Sequence, residues 1–286
     1  MAGKPPSTIG SVLGAAAIEL MAAGLDEPRR RARRVLATAL DLSATEIFAH
    51  PERALTATDQ ERIAATLRRV IAGEPLSRIA GMREFWGLEF VLSVDTLDPR
   101  PETETIIEEV LARAPDRDTP HRFLDLGTGS GCLLLALLSE FPRASGVGVD
   151  IALGAARTAH HNAGRLGLGG RASFVVDDWA RSLGAGFDAI VANPPYISTA
   201  ALAELPPEVR NYDPKRALDG GADGLGAFRA IAAELPRLLL PGGFFAIEIG
   251  AGQAAAVAAI LMQTGLRIDR FASDLAGIVR CVVGRR

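Results

Sequence analysis

The apolar run Arg122-Phe123-Leu124-Asp125-Leu126 stops at Gly127-Thr128-Gly129-Ser130-Gly131 and resumes as Cys132-Leu-Leu-Leu-Ala-Leu-Leu138. A short strand, three alternating glycines and an apolar helix in direct succession open a βα unit, which points the chain toward a layered α/β sheet. Glycines let a backbone approach a ligand closely, and the first N–H groups of the following helix have no partner within it. A dinucleotide-type G-x-G-x-x-G would place glycine at position 132, where this chain has Cys132.

The same alternation continues downstream. Gly146-Val-Gly-Val149 reads as a strand ending at Asp150, and Ala172-Ser-Phe-Val-Val176 as another ending at Asp177-Asp178-Trp179. An acidic side chain at the first of these ends can take both hydroxyls of a ribose. A carboxylate at the second can accept from an adenine amine while the indole packs on the ring. Taken singly, Asp150 reads equally well as a helix cap, and Asp177 or Asp178 as solvated. Together with the glycine loop they sit at three successive strand ends, and the G-x-G-x-G form suits the amino-acid part of S-adenosylmethionine better than a pyrophosphate.

The strand Phe187-Asp-Ala-Ile-Val-Ala192 ends at Asn193-Pro194-Pro195-Tyr196. By itself this tetrapeptide is an ordinary turn after a strand. It is also suited to a planar nitrogen acceptor, whose lone pair is delocalised and which attacks poorly unless its N–H bonds are held. Asn193 Oδ1 can accept one N–H, and the carbonyl of Pro194 the other, because consecutive prolines fix φ and remove competing donors. Tyr196 offers a flat face to the planar group. Such positioning can supply on the order of 7–11 kcal/mol of a barrier. A glycine nucleotide loop paired with this turn is therefore a signature for moving a methyl group onto a planar nitrogen.

Several longer stretches resemble one family. Gly73-Glu-Pro-Leu-Ser-Arg-Ile-Ala-Gly-Met-Arg-Glu-Phe-Trp-Gly-Leu-Glu-Phe90, Asp98-Pro-Arg-Pro-Glu-Thr-Glu104, Asp125 to Cys132, Asn193 to Ile197, Glu208 to Leu218, Gly221 to Leu225 and Glu248-Ile-Gly-Ala-Gly-Gln253 are similar to the peptide chain release factor glutamine methyltransferases, the PrmC/HemK family. The likeness runs from about residue 70 onward, and Pro-Arg-Pro-Glu-Thr-Glu ahead of the glycine loop is its most specific part. The resemblance implies methylation of the glutamine side-chain amide in the Gly-Gly-Gln motif of release factors, the proteins of translation termination, with S-adenosylmethionine as donor. It further implies that Gly127, Thr128, Gly129, Ser130, Gly131, Asp150, Asp178, Trp179 and Asn193 hold the cofactor and that Asn193, Pro194, Pro195 and Tyr196 hold the amide. Arg100 to Glu104 would line the approach to the cofactor. The chain departs from the family's pattern at Asp98, where an aliphatic residue is usual, at Arg78, where an aromatic is usual, and across a poorly matched N-terminus.

Charge bears on the alternatives. With a net charge of −3 there is no global basic field of the kind that non-specific nucleic-acid binding uses. This weighs against a nucleic-acid adenine amino-methyltransferase, which shares the Asn-Pro-Pro-aromatic clamp; nucleic acid is expected to be met only indirectly, through the ribosome. A non-catalytic adaptor that reads release factors without modifying them is disfavoured by the intact clamp beside the intact loop. Basic and acidic side chains nearly balance over residues 1–80, so Arg29-Arg30-Arg31-Ala-Arg33-Arg34 reads as a solvated helix face. Cys132 and Cys281 have no metal-ligand spacing, and His160-His161 diverge on a helix, so no metal is expected. Lys4 followed by Ile9 to Ile18 imitates a signal peptide, but Glu19 interrupts it. No run reaches the ~18 apolar residues needed to span a bilayer. A cytoplasmic enzyme without a membrane partner is expected.

Residues 8 to about 75 show helical patterns with breaks at Pro28 and Ala54 to Thr58. Arg83 to Leu92 reads as a hairpin around Gly87, and a helix is expected over Glu102 to Ala114. Further strands are expected at Gly243 to Ile249, Arg267 to Phe271 and Gly277 to Val283, the last two antiparallel. The expected organisation is an N-terminal helical bundle for substrate recognition (1–78), a β-hairpin linker (79–99) and a Rossmann-like α/β methyltransferase domain with seven strands (100–286). Ser198 to Gly226 reads as one long irregular, substrate-facing flap.

Overall fold

A computed structural model describes residues 7–286; Lys4 lies outside the described residues. The chain divides into two units, Met1–Gly81 and Met82–Arg286.

The first unit is helical: α1 (Ile9–Ala22), α2 (Pro28–Leu40), α3 (Ala44–Ala49), α4 (Ala57–Ile71) and α5 (Leu76–Ala80). Thr8, Ser43 and Thr56 cap α1, α3 and α4, and the residue three positions on returns the bond in each case. This reciprocal cap satisfies first-turn N–H groups that the helix leaves over. Leu20, Leu36, Ile47, Ile63 and Leu67 form the core. Helix α2 buries Ala32, Val35, Leu36 and Ala39 and turns Arg29, Arg30, Arg31 and Arg34 to the exterior. Arg30 pairs with Glu27 at 3.0 Å, and the Arg33 guanidinium lies over the Phe48 ring.

The second unit opens with a hairpin, β1 (Met82–Phe85) and β2 (Leu88–Val91), whose two turn residues Trp86 and Gly87 both have positive φ, the geometry that matches strand twist. Phe85 and Phe90 pack edge to face inside the core of this unit.

A seven-stranded sheet follows: β3 (Arg122–Leu126), β4 (Ser145–Asp150), β5 (Ala172–Val176), β6 (Phe187–Ala192), β7 (Leu239–Glu248), β8 (Arg267–Ser273) and β9 (Val279–Arg285), in the order β5-β4-β3-β6-β7-β9-β8. β5 to β7 run parallel, and β9 is antiparallel to both of its neighbours. Helices α6 (Glu104–Arg113), α7 (Cys132–Glu140), α8 (Leu153–Arg165), α10 (Gly226–Leu238) and α11 (Ala254–Gln263) cover it. Strand side chains alternate between faces. Phe123, Ala189, Val191, Phe244 and Val283 join α6 and α7 on one side; Leu124, Ile190, Phe245, Ile247 and Val282 join α10 and α11 on the other.

Two segments differ from expectation. The helix expected from Glu102 begins as a 3₁₀ turn, Pro101–Thr103, before α6. The stretch expected to be irregular, Ser198 to Gly226, carries 3₁₀ turns at Thr199–Glu204 and Lys215–Ala217 and the short helix α9 (Pro207–Arg210). It is fastened beside the Asn193 turn by mutual main-chain bonds, Ile197 N–H to Leu218 O at 3.0 Å and Gly220 N–H to Ile197 O at 2.8 Å. Pro207 at the start of α9 and Pro214 just before the second 3₁₀ turn fix φ without needing a donor, a signal that resembles loop chemistry when read from composition alone. Among the described residues no helix is long and apolar enough to cross a membrane.

Candidate active site

The strand order reverses between β4 and β6 on either side of β3, and open α/β sheets bind ligands at the carboxyl ends of strands beside such a switch. A cleft of about 980 Å³, open to solvent, lies there. Its walls come from the ends of β3, β4, β5 and β6: Gly127 to Ser130, Asp150, Asp178, Trp179, Asn193 and Pro195 all face it. Gly131, Pro194 and Tyr196 are not among the lining residues.

The glycine loop holds its shape by local bonds. Gly127 and Thr128 N–H groups both donate to the Val149 carbonyl at 2.9 Å, and Gly131 N–H donates to Thr128 O at 2.8 Å. Gly131 caps α7 with φ 82°, and a methyl group there would lie 3.1 Å from both Leu135 Cδ1 and Ala159 Cβ; its glycine serves packing against α8. Thr128 Oγ1 donates to Asp125 Oδ2 at 2.6 Å. Burial lifts the Asp125 carboxyl to about 7, against the opposing pull of that Thr128 bond.

Asp150 accepts from Gly129 N–H at 2.9 Å through one oxygen and from Ala152 N–H at 2.8 Å through the other. It thus fastens the turn ahead of α8 and forms cleft wall at once; α8 itself begins after Ala152 with no side-chain cap, so Asp150 is not a helix cap. Burial raises its pKa, and the two N–H bonds partly restrain the rise. Each of its oxygens retains lone-pair capacity for a hydroxyl. At the end of β5 the two acids have different work. Asp177 takes three bonds of 2.8 Å, from Asp178 N–H, Ser182 N–H and Ser182 Oγ, so its carboxylate organises the turn. Asp178 pairs with Arg181 at 2.8 Å on the rim. Trp179 holds a left-handed φ of 59°, a conformation that costs energy for a bulky residue.

The Asn193 turn is braced from behind. Asn193 Nδ2 donates to Thr103 Oγ1 at 3.0 Å, and Thr103 Oγ1 donates to Glu248 Oε2 at 2.6 Å. Tyr196 OH donates to Glu248 Oε1 at 3.3 Å. Burial pushes the Glu248 carboxyl up to about 7, opposed by the Thr103 and Tyr196 bonds and by Arg280. Burial followed by the Glu248 charge pushes the Tyr196 phenol up, so it stays a donor. Gln253 completes the brace: its Nε2 donates to Tyr196 O, and its Oε1 accepts from Gly250 N–H, both at 2.9 Å.

The segment 98–104 acts chiefly as a girder. Arg100 Nη2 donates to Asp213 Oδ2 at 2.5 Å, Asp213 Oδ1 accepts from Asp98 N–H at 3.2 Å, and Glu104 Oε1 accepts from Trp86 N–H at 3.0 Å. Of Arg100 to Glu104, only Thr103 faces the cleft. The unusual Asp98 is 3% exposed and lies 3.4 Å from Arg83 Nε, so its charge is met within the unit. The roles of Thr103, Glu248, Gln253 and Asp213 in these bonds are not legible in the sequence. Glu248 and Gln253 stand inside a quoted stretch, yet nothing local says which way they face.

The donor set is compatible with an adenosyl ligand bearing an amino-acid tail: a glycine loop at the end of β3, carboxylates at the ends of the next two strands along the sheet, β4 and β5, and an indole on one wall.

Residues 11–81 match the family described as PrmC N-terminal domain, and residues 84–205 the one described as Methyltransferase small domain. The chain is 48% identical over 278 residues to the release factor glutamine methyltransferase of Rhodospirillum rubrum, covering 97% of this chain and 85% of that one. It is 43% identical over 289 residues to the release factor glutamine methyltransferase of Agrobacterium fabrum, covering 100% of both. Among solved structures, the hMettl16 catalytic domain in complex with MAT2A 3'UTR hairpin 6 aligns with TM-score 0.58 at 16% identity, over 80% of this chain and 81% of that one. At that identity the likeness concerns the fold alone.

Proposed function

The chain belongs to the release factor glutamine methyltransferases, S-adenosylmethionine-dependent enzymes, and from this premise we propose that its cleft holds the cofactor beside a turn that presents the glutamine amide of a release factor's Gly-Gly-Gln motif. S-adenosylmethionine, when bound, supplies an electrophilic methyl group. In this reading Gly127, Thr128, Gly129 and Ser130 border its amino-acid end, with Gly131 fixing the loop from below. Asp150 receives the ribose hydroxyls, and Asp178 and Trp179 border the adenine.

The amide acceptor is a weak nucleophile, so the work of the protein is orientation. Asn193 Oδ1 accepts one N–H of the substrate carboxamide and the Pro194 carbonyl the other, which fixes the nitrogen's plane and turns its lone-pair face toward the methyl group. Pro195 and Tyr196 keep the turn stiff, the first by its ring and the second through its tethers to Glu248 and Gln253. Glu248 is 2% exposed and its two oxygens are taken by Thr103 and Tyr196, so it serves the turn and not the acceptor's proton, which is lost to water once the nitrogen is alkylated.

The observation that carries this reading is a shared wall. Gly127 to Ser130 and Asn193 face one cleft from the ends of the adjacent strands β3 and β6, and a methyl group on Gly127 would come within 3.9 Å of the Asn193 carbonyl oxygen. The test is incorporation of a labelled methyl group into a release factor and, in parallel, into DNA. Asn193→Ala is expected to lose turnover while retaining cofactor affinity. A variant with the wild-type rate on the release factor would overturn the role given to Asn193, and label appearing in DNA alone would overturn the substrate.

A further inference from the structure

The Asn193 carboxamide has two nearly isosteric orientations, and only one presents an acceptor to the substrate's N–H groups. The other would set N–H against N–H. Which orientation is adopted follows from a hydrogen-bond chain of four side chains on three elements, the Asn193 turn, the 3₁₀ turn Pro101–Thr103 and β7. Glu248, at the end of β7, is 2% exposed, and as a carboxylate it can only accept. Thr103 has a single hydroxyl proton. Its oxygen lies 2.6 Å from Glu248 Oε2 and 3.0 Å from Asn193 Nδ2. The charge-assisted bond to the carboxylate is the stronger of the two and takes the proton, leaving only lone pairs toward Asn193. A lone pair can be faced by the amide NH₂ but not by the amide oxygen. Tyr196, donating to the second oxygen of Glu248, keeps the carboxylate supplied with donors on both sides.

We infer that Thr103 and Glu248 are positioning residues for methyl transfer, which fix the Asn193 carboxamide with Oδ1 toward the acceptor and Nδ2 toward the protein. The inference rests on the role proposed for Asn193 and adds what sets its direction. Neither residue touches the reacting atoms. Neutralising or removing one link frees the Thr103 proton or deletes the oxygen, and both orientations of Asn193 then become accessible. Substrate amides meeting the reversed carboxamide are repelled from the productive pose, so the loss falls on turnover. The cofactor side of the cleft, built on the glycine loop and Asp150, is left intact.

Two substitutions at Thr103 separate this role from simple packing, because they remove complementary halves of the side chain. Thr103→Val keeps the branched shape and deletes the hydroxyl; Thr103→Ser keeps the hydroxyl and deletes the methyl group. Turnover on a purified release factor and cofactor affinity by calorimetry are measured for both. The expected result is a fall of kcat by about tenfold for Thr103→Val, the scale of one hydrogen bond, with cofactor Kd within about threefold of wild type, and near-normal kcat for Thr103→Ser. Should Thr103→Val fail to fold, Glu248→Gln carries the test. Its amide can both donate and accept, so it stops dictating the Thr103 proton, and a several-fold fall in kcat with unchanged cofactor Kd is expected. Wild-type kcat in Thr103→Val, greater loss in Thr103→Ser than in Thr103→Val, or a kcat in Glu248→Gln equal to wild type would each overturn the inference. A wild-type enzyme that transfers no methyl group to the release factor would instead overturn the proposed function beneath it.

Discussion

Asn162 Nδ2, on α8, donates to the carbonyl oxygen of Ser130 at 2.9 Å and so holds the glycine loop from its protein side. The same amide nitrogen donates to Val91 O at 3.1 Å, and Asn162 Oδ1 accepts from Val91 N–H at 2.9 Å. One fully buried side chain therefore joins the hairpin to the glycine loop. Its replacement by Ala would leave buried main-chain groups without partners, at ~1–3 kcal/mol for each group left unmet. Asn162→Ala is expected to lower stability by about 2–4 kcal/mol in urea melts and to weaken cofactor binding by calorimetry. Unchanged stability would show that these bonds are replaced by water.

Asp125 and Glu248 carry carboxyls lifted by burial from ordinary values to about 7. A raised carboxyl favours the folded state in its protonated form. That contribution is complete below pH ~4, is lost as pH rises toward 7, and changes little above it. Each group accounts for on the order of 3–4 kcal/mol of this pH dependence. Asp125→Asn, which can still accept from Thr128, removes one such titration. The difference in Tm between this variant and wild type is expected to be more favourable to the variant at pH 8 than at pH 5. An equal difference at both pH values would place the Asp125 carboxyl in the usual range.

Turnover should depend on pH through Glu248 as well. When protonated it no longer fixes the Thr103 proton, so kcat is expected to rise as pH increases through about 7. Several groups set where that rise falls: Arg280 on β9 favours the carboxylate, Glu102 within the 3₁₀ turn opposes it, Tyr196 and Thr103 donate to it, and Cys281 faces it across the β7–β9 ladder. In Glu248→Gln the rise should vanish, leaving a flatter profile between pH 6 and 8 at a lower plateau. A rise retained at the same pH in the variant would assign the titration to another group.

Much of the sheet is written locally. Apolar runs such as Phe187 to Ala192 and Phe244 to Ile247 end at glycine, asparagine or acid, and strand ends in a parallel sheet are where ligands gather. The glycine loop, Asp150 and Trp179 could be placed on the cleft from such patterns. The brace behind Asn193 could not, because it joins side chains 90 and 145 residues apart, and neither a threonine in a Pro-Glu-Thr turn nor a glutamate at a strand end announces a distant partner. Asp177 and Asp178 show the same limit at short range. Both line the cleft, and only the donors of Ser182, which fill Asp177, mark it as the organiser of the turn.

Ala192 lies opposite Ile247 in the β6–β7 ladder, so Asn193 and Glu248 are the next residue along each of two paired strands. Their spacing is inherited from the repeat of the backbone itself, and only a slip of the whole ladder would alter it, at the cost of turning the side chains of the slipped strand to the opposite faces. Helices and loops outside this ladder can change in length and charge without changing the separation of the two positions, which is held as two teeth are held on one comb.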